Sequence, residues 1–363
     1  MAGRAPMNAA EPAAARADLP LFVDLDGTLV RTDLLYESFL DRLKHDWWLP
    51  LRAFGWLAGG RAALKTRLAE GRVLPVDALP YHAAVLACIR DARAGGRRVY
   101  LATASHRILA QQVADHLGLF DGVIASEPGR NVSGAGKLAR LRDVAGSDRF
   151  EYLGNSAADL AIWDAGAHAG VVAPDAAARR WLRRNAGKAR ALGEHLSARD
   201  ALAARLRLLR PRRWPADLLL ALPLLALPLL AAPAALRAAA TADVALGIAA
   251  FGLCTSALAV VDDLLDLDAD RVHPRRRTRP FASGAVPLAF GFHAVPLLLA
   301  AAIGVGALVS APFVGVLAAA FVVALAHSLS LRRTRAIDAL VRTLLLVLRL
   351  VAGAVAMHAA WPS

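Results

Sequence analysis

The chain has 363 residues, of which 57% are hydrophobic, and a formal net charge of +13. This length is enough for two domains, and the apolar fraction argues against a wholly soluble protein. Between Pro174 and Arg213, twelve Lys and Arg face three Asp and Glu, directly before the apolar residues 214–363. A basic segment in that position is typical of contact with anionic lipid headgroups. We expect no nucleic-acid partner, because no nucleic-acid motif accompanies the charge.

Residues 1–18 are rich in Ala and lack the apolar core of a signal peptide. We expect a disordered tail there, and a first domain that stays in the cytoplasm. The two cysteines, Cys88 and Cys254, form no metal-binding spacing and are predicted to be small buried side chains.

The stretch "LPLFVDLDGTLVRTD" (19–33) predicts a buried strand that ends in two aspartates. Asp24 and Asp26 are two residues apart, so in an extended chain they face the same way. One carboxylate, with backbone oxygen, suits Mg²⁺, while the other can attack phosphorus. A plain turn or a fragment of a calcium loop is the alternative, but no Glu completes such a loop.

Strands and helical stretches then alternate. "RRVYLATAS" (97–105) predicts a strand ending at Thr103, with Ser105 close behind, and "DGVIAS" (121–126) a second. Lys137 precedes a helical pattern, Asp159 follows a strand and a glycine turn in 150–166, and 168–174 is a last strand. This alternation predicts an α/β domain with a parallel sheet and active groups at the strand ends.

Residues 19–175 resemble the haloacid dehalogenase (HAD) superfamily of phosphatases, whose four motifs occur here in order. The resemblance implies a Rossmann-like fold with Asp24 as nucleophile and Asp26 as general acid and base. Thr103 would bind the phosphoryl group, Lys137 would neutralise it, and Asp159 would hold Mg²⁺ with the two aspartates. Asn155 stands where the family usually has Asp. A purely structural HAD domain is the alternative.

Residues 34–95 look helical, and the resemblance implies that they form a cap over the site. The segment contains Trp47, Trp48 and Trp56. We expect these side chains to pack on their own domain, with contact to lipid as the alternative. Residues 176–213 are predicted to be a basic juxtamembrane linker.

The apolar half contains five segments of about 20 residues, the length that crosses a bilayer. They are approximately 217–236, 242–261, 286–309, 312–330 and 336–360. The loops on one side carry eleven arginines, and those on the other carry only Arg237. The positive-inside rule therefore predicts a multi-pass protein of the inner (cytoplasmic) membrane, with the N-terminal domain in the cytoplasm.

"VVDDLLDLDADRVHPRRRTRP" (260–280) places charge at the foot of the second span. On a continuous helix, at about 100° per residue, Asp262, Asp263, Asp266 and Asp270 share one stripe and Asp268 lies opposite. Crowded carboxylates near a bilayer are costly, and Mg²⁺ with substrate phosphate removes that conflict. The stretch is predicted to bind Mg²⁺ and phosphate at the membrane face; an ordinary polar loop is the alternative. The arginines expected to bind phosphate are Arg210, Arg275, Arg276 and Arg279.

Residues 262–270 resemble the first aspartate motif of the UbiA superfamily of intramembrane prenyltransferases, with Asp262 in the place of Asn. "DRVHPRRRTRPFASG" (270–284) and "LRPRRW" (209–214) are most similar to the decaprenyl-phosphate phosphoribosyltransferase branch. Ala216 and Asp217 depart from that branch, which usually has Lys and Asn there. Because the superfamily has further helices and a second aspartate motif, we expect residues 214–363 to be an incomplete transferase domain.

The resemblances imply a Mg²⁺-dependent membrane enzyme that moves phosphoribose from phosphoribosyl diphosphate to polyprenyl phosphate. The HAD-like domain would then dephosphorylate the product. One alternative is an aromatic polyprenyltransferase that uses a prenyl diphosphate lipid. Another is a non-catalytic HAD domain anchored in the membrane.

Overall fold

The computed structural model divides the chain into two compact units, Met1–His195 and Leu196–Ser363. It describes residues 18–46, 48–71, 73–128, 132–193, 197–226, 233–331 and 335–359. The predicted tail up to residue 17 and Trp47 lie outside the described residues.

A six-stranded parallel sheet forms the first unit, in the order β3-β2-β1-β4-β5-β6. The strands are β1 Leu21–Val23, β2 Val99–His106, β3 Gly122–Ser126, β4 Glu151–Gly154, β5 His168–Val172 and β6 Ala189–Leu192. The chain leaves β1 toward one edge and later returns to β4 on its other side. Such a switch point opens a crevice at the carboxyl ends of the strands, and Asp24 directly follows β1.

Helices cover both faces of the sheet. They are α1 Leu34–Leu43, α2 Leu49–Ala58, α3 Gly60–Ala69, α4 Ala83–Ala94, α5 Arg107–Leu117, α6 Gly134–Ala145, α7 Leu160–Ala165 and α8 Ala176–Arg184. Alternate residues of β1 point into two cores: Leu21 and Val23 into one, Phe22 into the other. The predicted α/β Rossmann-like fold is confirmed.

Two predicted boundaries differ from the structure. The side chains of Val85 and Ile89 on α4 belong to the same core as Leu21 and Val23 of β1, so α4 packs on the sheet and only α1–α3 are left for the predicted cap, which was expected to extend to residue 95. The sheet also extends past residue 175, because β6 pairs with β5. Residues 176–192, predicted as linker, are therefore part of the α/β unit.

The second unit is helical. Its elements are α9 Ala198–Leu208, a 3-10 helix Pro211–Ala226, α10 Ala234–Leu265, α11 Leu267–Val272, α12 Leu288–Val309, α13 Ala311–Ala326, a π-helix His327–Leu331 and α14 Arg335–Ala359. Among the described residues four helices have the length and composition to cross a membrane: Ala234–Leu265, Leu288–Val309, Ala311–Leu329 and Ala336–His358.

The first predicted span, 217–236, is the exception. Its described part belongs to the 3-10 helix that ends at Ala226, and α10 already begins at Ala234. Pro215 and Pro223 lie inside the 3-10 helix and lack the N–H that an α-helix would use. Hydropathy alone does not distinguish this 3-10 helix from an α-helical span.

Small residues let the helices of this unit approach closely. A side chain at Gly247 would contact the Phe313 ring at 3.0 Å, and one at Gly252 would meet Trp214 at the same distance. Such close packing is typical of membrane helices, because the hydrophobic effect does not drive the association of helices in lipid.

Candidate active sites

The loop after β1 brings the two predicted aspartates into one buried site. Asp24 is buried, and its Oδ2 accepts a hydrogen bond from Thr28 Oγ1 at 3.2 Å. Gly27 turns the chain with φ +77°, and a Cβ there would lie 2.1 Å from Asn155 Nδ2. Only glycine therefore fits between Asp26 and the Asn155 amide.

Asp26 is held from three sides. Its Oδ1 accepts the Leu34 N–H at 2.8 Å, and its Oδ2 accepts Ser105 Oγ at 2.6 Å and Thr103 Oγ1 at 3.2 Å. Thr103 is fully buried, and its Oγ1 also accepts the Ser105 N–H. Ser105 lines the cavity beside Asp24, whereas Thr103 lies behind Asp26. The hydroxyl that faces this cavity is thus that of Ser105 and not the predicted Thr103.

Lys137 brings a positive charge to Asp24. Its Nζ donates to Asp24 Oδ1 at 2.7 Å and to Tyr152 Oη at 2.5 Å. Tyr152 in turn donates to Asp159 Oδ1 at 2.8 Å. Asp24 and Lys137 are therefore in direct contact, and Tyr152 links them to Asp159.

Asp159 is in the site but is already heavily hydrogen-bonded. Its Oδ2 accepts the N–H groups of Asn155 and Ser156, each at 3.0 Å, while Oδ1 is occupied by Tyr152. A carboxylate has about four lone-pair positions, so few remain for a metal. In this geometry Asp159 holds the loop that carries Asn155.

The acids are difficult to ionise. Burial, together with the negative charges of Asp159 and Asp26, raises the pKa of Asp24 to about 7, although Lys137 opposes the shift. Burial and the charge of Asp33 raise the pKa of Asp26 to about 6. A cation near them would favour the ionised forms.

A cavity of about 210 Å³ opens onto these groups. Besides Asp24 and Asp26, its lining includes Lys65 of the cap, whose Nζ donates to the Ala104 carbonyl at 2.8 Å. Gly134, in the first turn of α6, also lines it. Cationic side chains and a helix N-terminus both suit an anion. Lys65 was not predicted from the sequence as a site residue, because it lies in no recognisable motif.

Within the described ranges, no cluster of three or more His, Cys, Asp or Glu side chains is arranged to hold a metal ion. Mg²⁺ requires fewer protein ligands than that, since it keeps waters and binds substrate phosphate. Asp24 and Asp26, with Asn155 beside them, have the oxygen chemistry for such a site.

In the membrane half, the aspartate stretch does not form one continuous helix. α10 ends at Leu265, and Asp266 interrupts it with φ −85° and ψ 5° before α11 begins. The Asp266 N–H still bonds to the Asp262 carbonyl, and that of Asp270 to the Asp266 carbonyl. The assumption of an uninterrupted helix was wrong, but the four-residue register of 262, 266 and 270 is preserved.

Arginines bind the buried aspartates of this stretch. Arg279 Nη1 lies 2.6 Å from Asp270 Oδ2 and 3.3 Å from Asp263 Oδ1. Arg210 also pairs with Asp263, and Arg276 lies 3.8 Å from Asp270. Of the predicted phosphate ligands, three are therefore paired with the aspartates they were expected to assist. Arg275 is exposed, and its backbone N–H bonds to His273.

A larger cavity, about 930 Å³, lies beside this network. Asp262 lines it, with Oδ1 accepting from Ser328 Oγ at 2.7 Å. Its other described polar and charged lining residues are Arg212, Arg213, Thr255, His327, Asp338, Arg342 and Arg349, and its apolar lining includes Phe251, Leu258 and Leu345. A cavity with apolar and cationic walls suits an amphiphilic anion.

The cavity wall also contains a buried ion pair. Arg349 Nε donates to Asp217 Oδ1 at 2.8 Å, and Thr255 Oγ1 donates to Asp217 Oδ2 at 3.2 Å. Asp217 is fully buried. Both residues interrupt apolar sequence, which is the signal that marks a functional charge inside a membrane domain. That signal could have singled out Arg349 before the structure.

Comparison with known proteins agrees with the division of the chain into an α/β unit and a helical unit. Residues 21–163 match the profile of haloacid dehalogenase-like hydrolases, and residues 220–363 match the UbiA prenyltransferase family. The chain joins a HAD-like domain to a UbiA domain.

Two curated proteins are similar to it. "Uncharacterized protein y4nM" of Sinorhizobium fredii is 36% identical over 339 residues, 93% of this chain and 64% of that protein. A decaprenyl-phosphate phosphoribosyltransferase of Mycolicibacterium smegmatis is 29% identical over 159 residues, 44% of this chain. The chain spans 49% of that second protein's length, so less than two thirds of either relative is matched.

Solved structures similar to the chain cover the HAD-like domain. A HAD family hydrolase of Salmonella enterica has 15% identity and a TM-score of 0.37, over 47% of this chain and 68% of its own. A phosphoserine phosphatase, in the form of a phospho-aspartyl intermediate analogue, has 13% identity and a TM-score of 0.31, over 45% and 90%.

Proposed function

We propose that the UbiA domain transfers phosphoribose from phosphoribosyl diphosphate to a polyprenyl phosphate, and that the HAD-like domain hydrolyses a phosphate monoester such as the product's. Similarity to the decaprenyl-phosphate phosphoribosyltransferase of Mycolicibacterium supports the first step. The observation that carries the proposal is the cationic wall of the larger cavity, where four arginines lie near an apolar surface. A reaction in which both donor and acceptor carry phosphate needs more cationic hydrogen-bond donors than a reaction with a neutral acceptor.

In the UbiA domain, the cavity's apolar side would bind the lipid chain, while Arg212 and Arg213 bind phosphate. Mg²⁺ would be held by Asp263, Asp266 and Asp270, and when bound it neutralises the diphosphate leaving group. Arg279, which pairs with Asp263 and Asp270, would supply positive charge to the substrate phosphate beside these aspartates.

In the HAD-like domain, Asp24 would attack phosphorus, and the ester P–O bond would break to leave a phosphoaspartyl group. Asp26, whose pKa is raised by burial, would protonate the leaving oxygen. Water then attacks the phosphoaspartyl group and gives its proton back to Asp26. Mg²⁺ beside Asp24 and Asp26 would neutralise the phosphoryl oxygens.

The transferase is tested in membranes that contain the full chain, with labelled phosphoribosyl diphosphate and polyprenyl phosphate. Asp263→Asn is expected to abolish transfer of label to lipid. Asp243→Asn is the matched control: it lies on the same helix, about 30 Å away at 1.5 Å per residue, and should retain transfer. Activity with only a prenyl diphosphate and an aromatic acid would replace the proposal with an aromatic prenyltransferase. No transfer of either kind would favour a non-catalytic anchor.

The phosphatase is tested with a small phosphate ester and Mg²⁺. Asp24→Asn is expected to abolish turnover, whereas Asp143→Asn, an exposed carboxylate on α6, should not change it. Turnover that survives Asp24→Asn would remove Asp24 from the nucleophile role.

A further inference from the structure

The cap helix α2 has an exposed apolar face. Phe54 is 80% exposed, Leu51 66%, Trp48 48% and Leu57 47%. At about 100° per residue, these side chains and the exposed Pro50, Gly55 and Ala58 fill one arc of about 180° that contains no charge. We expected the tryptophans of the cap to pack on their own domain. Trp56 is half-buried, with the Arg42 guanidinium 5.8 Å from its ring centre, whereas the face described here is exposed.

The opposite side of α2 holds Leu49 and Ala53, which are buried, and Arg52, which is exposed and pairs with Asp46 at 2.6 Å. A contiguous exposed apolar face of this kind is typical of an interaction surface. The exposed face of α2 therefore requires a partner that is itself apolar.

A bilayer surface is the partner that the chain provides. The four candidate membrane helices hold the first unit to a membrane by a covalent connection, so a bilayer is present at high effective concentration. Residues 49–69 carry four basic side chains, Arg52, Arg61, Lys65 and Arg67, and no acidic one; Arg52 and Arg67 pair with the flanking acids Asp46 and Glu70. A cationic hairpin with exposed Trp, Phe and Leu has the composition of an interfacial anchor on anionic lipid.

We propose that the face formed by Trp48, Leu51, Phe54 and Leu57 inserts into the surface of an anionic bilayer. The same cap contacts the active site, because α2 continues through Gly59 into α3, where Lys65 lines the cavity with Asp24. Binding of α2 to lipid therefore positions the cap for phosphate carried on a lipid rather than a soluble ester. This second part rests on the proposed phosphatase function, whereas the membrane contact does not.

The contact is tested in the full chain, reconstituted in vesicles of phosphatidylcholine and phosphatidylglycerol, with Cys88 and Cys254 replaced by Ala. A spin label at Phe54→Cys is compared with one at Val73→Cys, which is 85% exposed and outside the cap helices. We expect the label at 54 to be accessible to oxygen and shielded from a water-soluble nickel complex. The label at 73 should be accessible to both.

Two outcomes would overturn the membrane contact. A label at 54 as accessible to nickel as that at 73 would place the face in water. A label at 54 shielded from both reagents would mean that protein covers it, either a second copy or another part of this chain.

The substrate class is tested with Leu51→Asp/Phe54→Asp and with Val73→Asp as control. We expect the double variant to lose about tenfold or more in kcat/KM on a phosphate monoester lipid in vesicles and to keep its rate on a soluble ester. An equal loss on both substrates, or none on either, would contradict lipid delivery. Absence of hydrolysis in the parent would instead remove the phosphatase proposal and leave the spin-label result standing.

Discussion

At the scale of single residues, the HAD-like site depends on acids that are buried next to one another. Asp24 has a pKa of about 7 and Asp26 about 6, against an ordinary value of 3.8, and burial is the largest cause for each. The positive charge of Lys137 offsets only part of the increase in the pKa of Asp24. Without a cation, the folded domain therefore holds protons that the unfolded chain has already released, and a pH dependence of stability follows.

That dependence is measurable at Asp24. Because its pKa is raised in the folded state, its contribution to stability is fully present below pH 4 and is lost as the pH rises through 7. Asp24→Asn does not titrate, so it should gain stability relative to the parent between pH 4 and 8. The change is up to about 4 kcal/mol, at about 1.4 kcal/mol per pKa unit. Hydrogen exchange of β1 with a chelator present measures it.

Asp143→Asn serves as the control for that experiment, because Asp143 is exposed and pairs with Arg140, 3.7 Å away on the same helix. The same pH dependence in both variants would mean that the slope comes from elsewhere in the domain.

At the scale of secondary-structure elements, the loop after β1 is defined by one glycine. Gly27 has φ +77° and leaves no room for a Cβ beside Asn155. Since the nearest atom is the end of a flexible amide, a side chain at 27 would displace Asn155 before it disrupted the core. The loop geometry therefore bears on activity more than on folding.

Gly27→Ala is expected to lower phosphatase kcat/KM by about tenfold or more, by moving Asn155 away from the cation site. Gly118→Ala is the matched control. It has a similar φ of +61° but no atom within 4 Å, so it should cost only about 1 kcal/mol of stability and leave activity intact. Equal effects of the two variants on kcat/KM would show that backbone strain alone is responsible.

The ion pair between α14 and the 3-10 helix is a second feature at this scale. Arg349→Met would leave the Asp217 carboxylate buried without its cation, which costs about 3–5 kcal/mol for a buried pair. We expect a clear fall in the Tm of the detergent-solubilised protein, restored largely by Asp217→Leu/Arg349→Met. Arg342→Met, whose side chain is 74% exposed, should have little effect. A double variant no more stable than Arg349→Met would contradict the pairing argument.

At the scale of the whole molecule, each unit has its own core. The sheet's two clusters lie entirely in the first unit, and the cluster around Phe251 and Phe313 lies in the second. Substitutions in sites that share no partner are generally additive. The two proposed activities should therefore be separable by mutation within the intact chain.

In the full-length protein, Asp24→Asn is expected to remove phosphatase turnover and keep phosphoribosyl transfer, and Asp263→Asn the reverse. Both reactions are measured in the same membrane preparation with separate substrates. Loss of both activities in either variant, with normal protein levels, would show that the two domains work as one unit.

The sequence by itself determined the features that repeat locally. Alternation of strands and helices predicted the α/β sheet, the Asp24–Asp26 spacing predicted one site at the end of β1, and apolar runs predicted four of the helices that can cross a membrane. These signals depend on neighbours in the chain. The first predicted segment, 217–236, differs in the structure, because hydropathy records composition and not the backbone hydrogen bonds that Pro215 and Pro223 cannot make.

Only the tertiary structure decided which groups meet and which faces remain uncovered. Ser105 rather than Thr103 lines the cavity, at the end of β2 where its register with β3 shifts, while Thr103 bonds to Asp26. Arg349 pairs with Asp217, 132 residues earlier in the chain. Arg279 pairs with Asp263 and Asp270, which were predicted to bind a metal. The sequence does not show which face of α2 is exposed, because the buried and the exposed positions of this helix both carry apolar residues. Burial and pairing between distant residues depend on packing, and no local pattern encodes them.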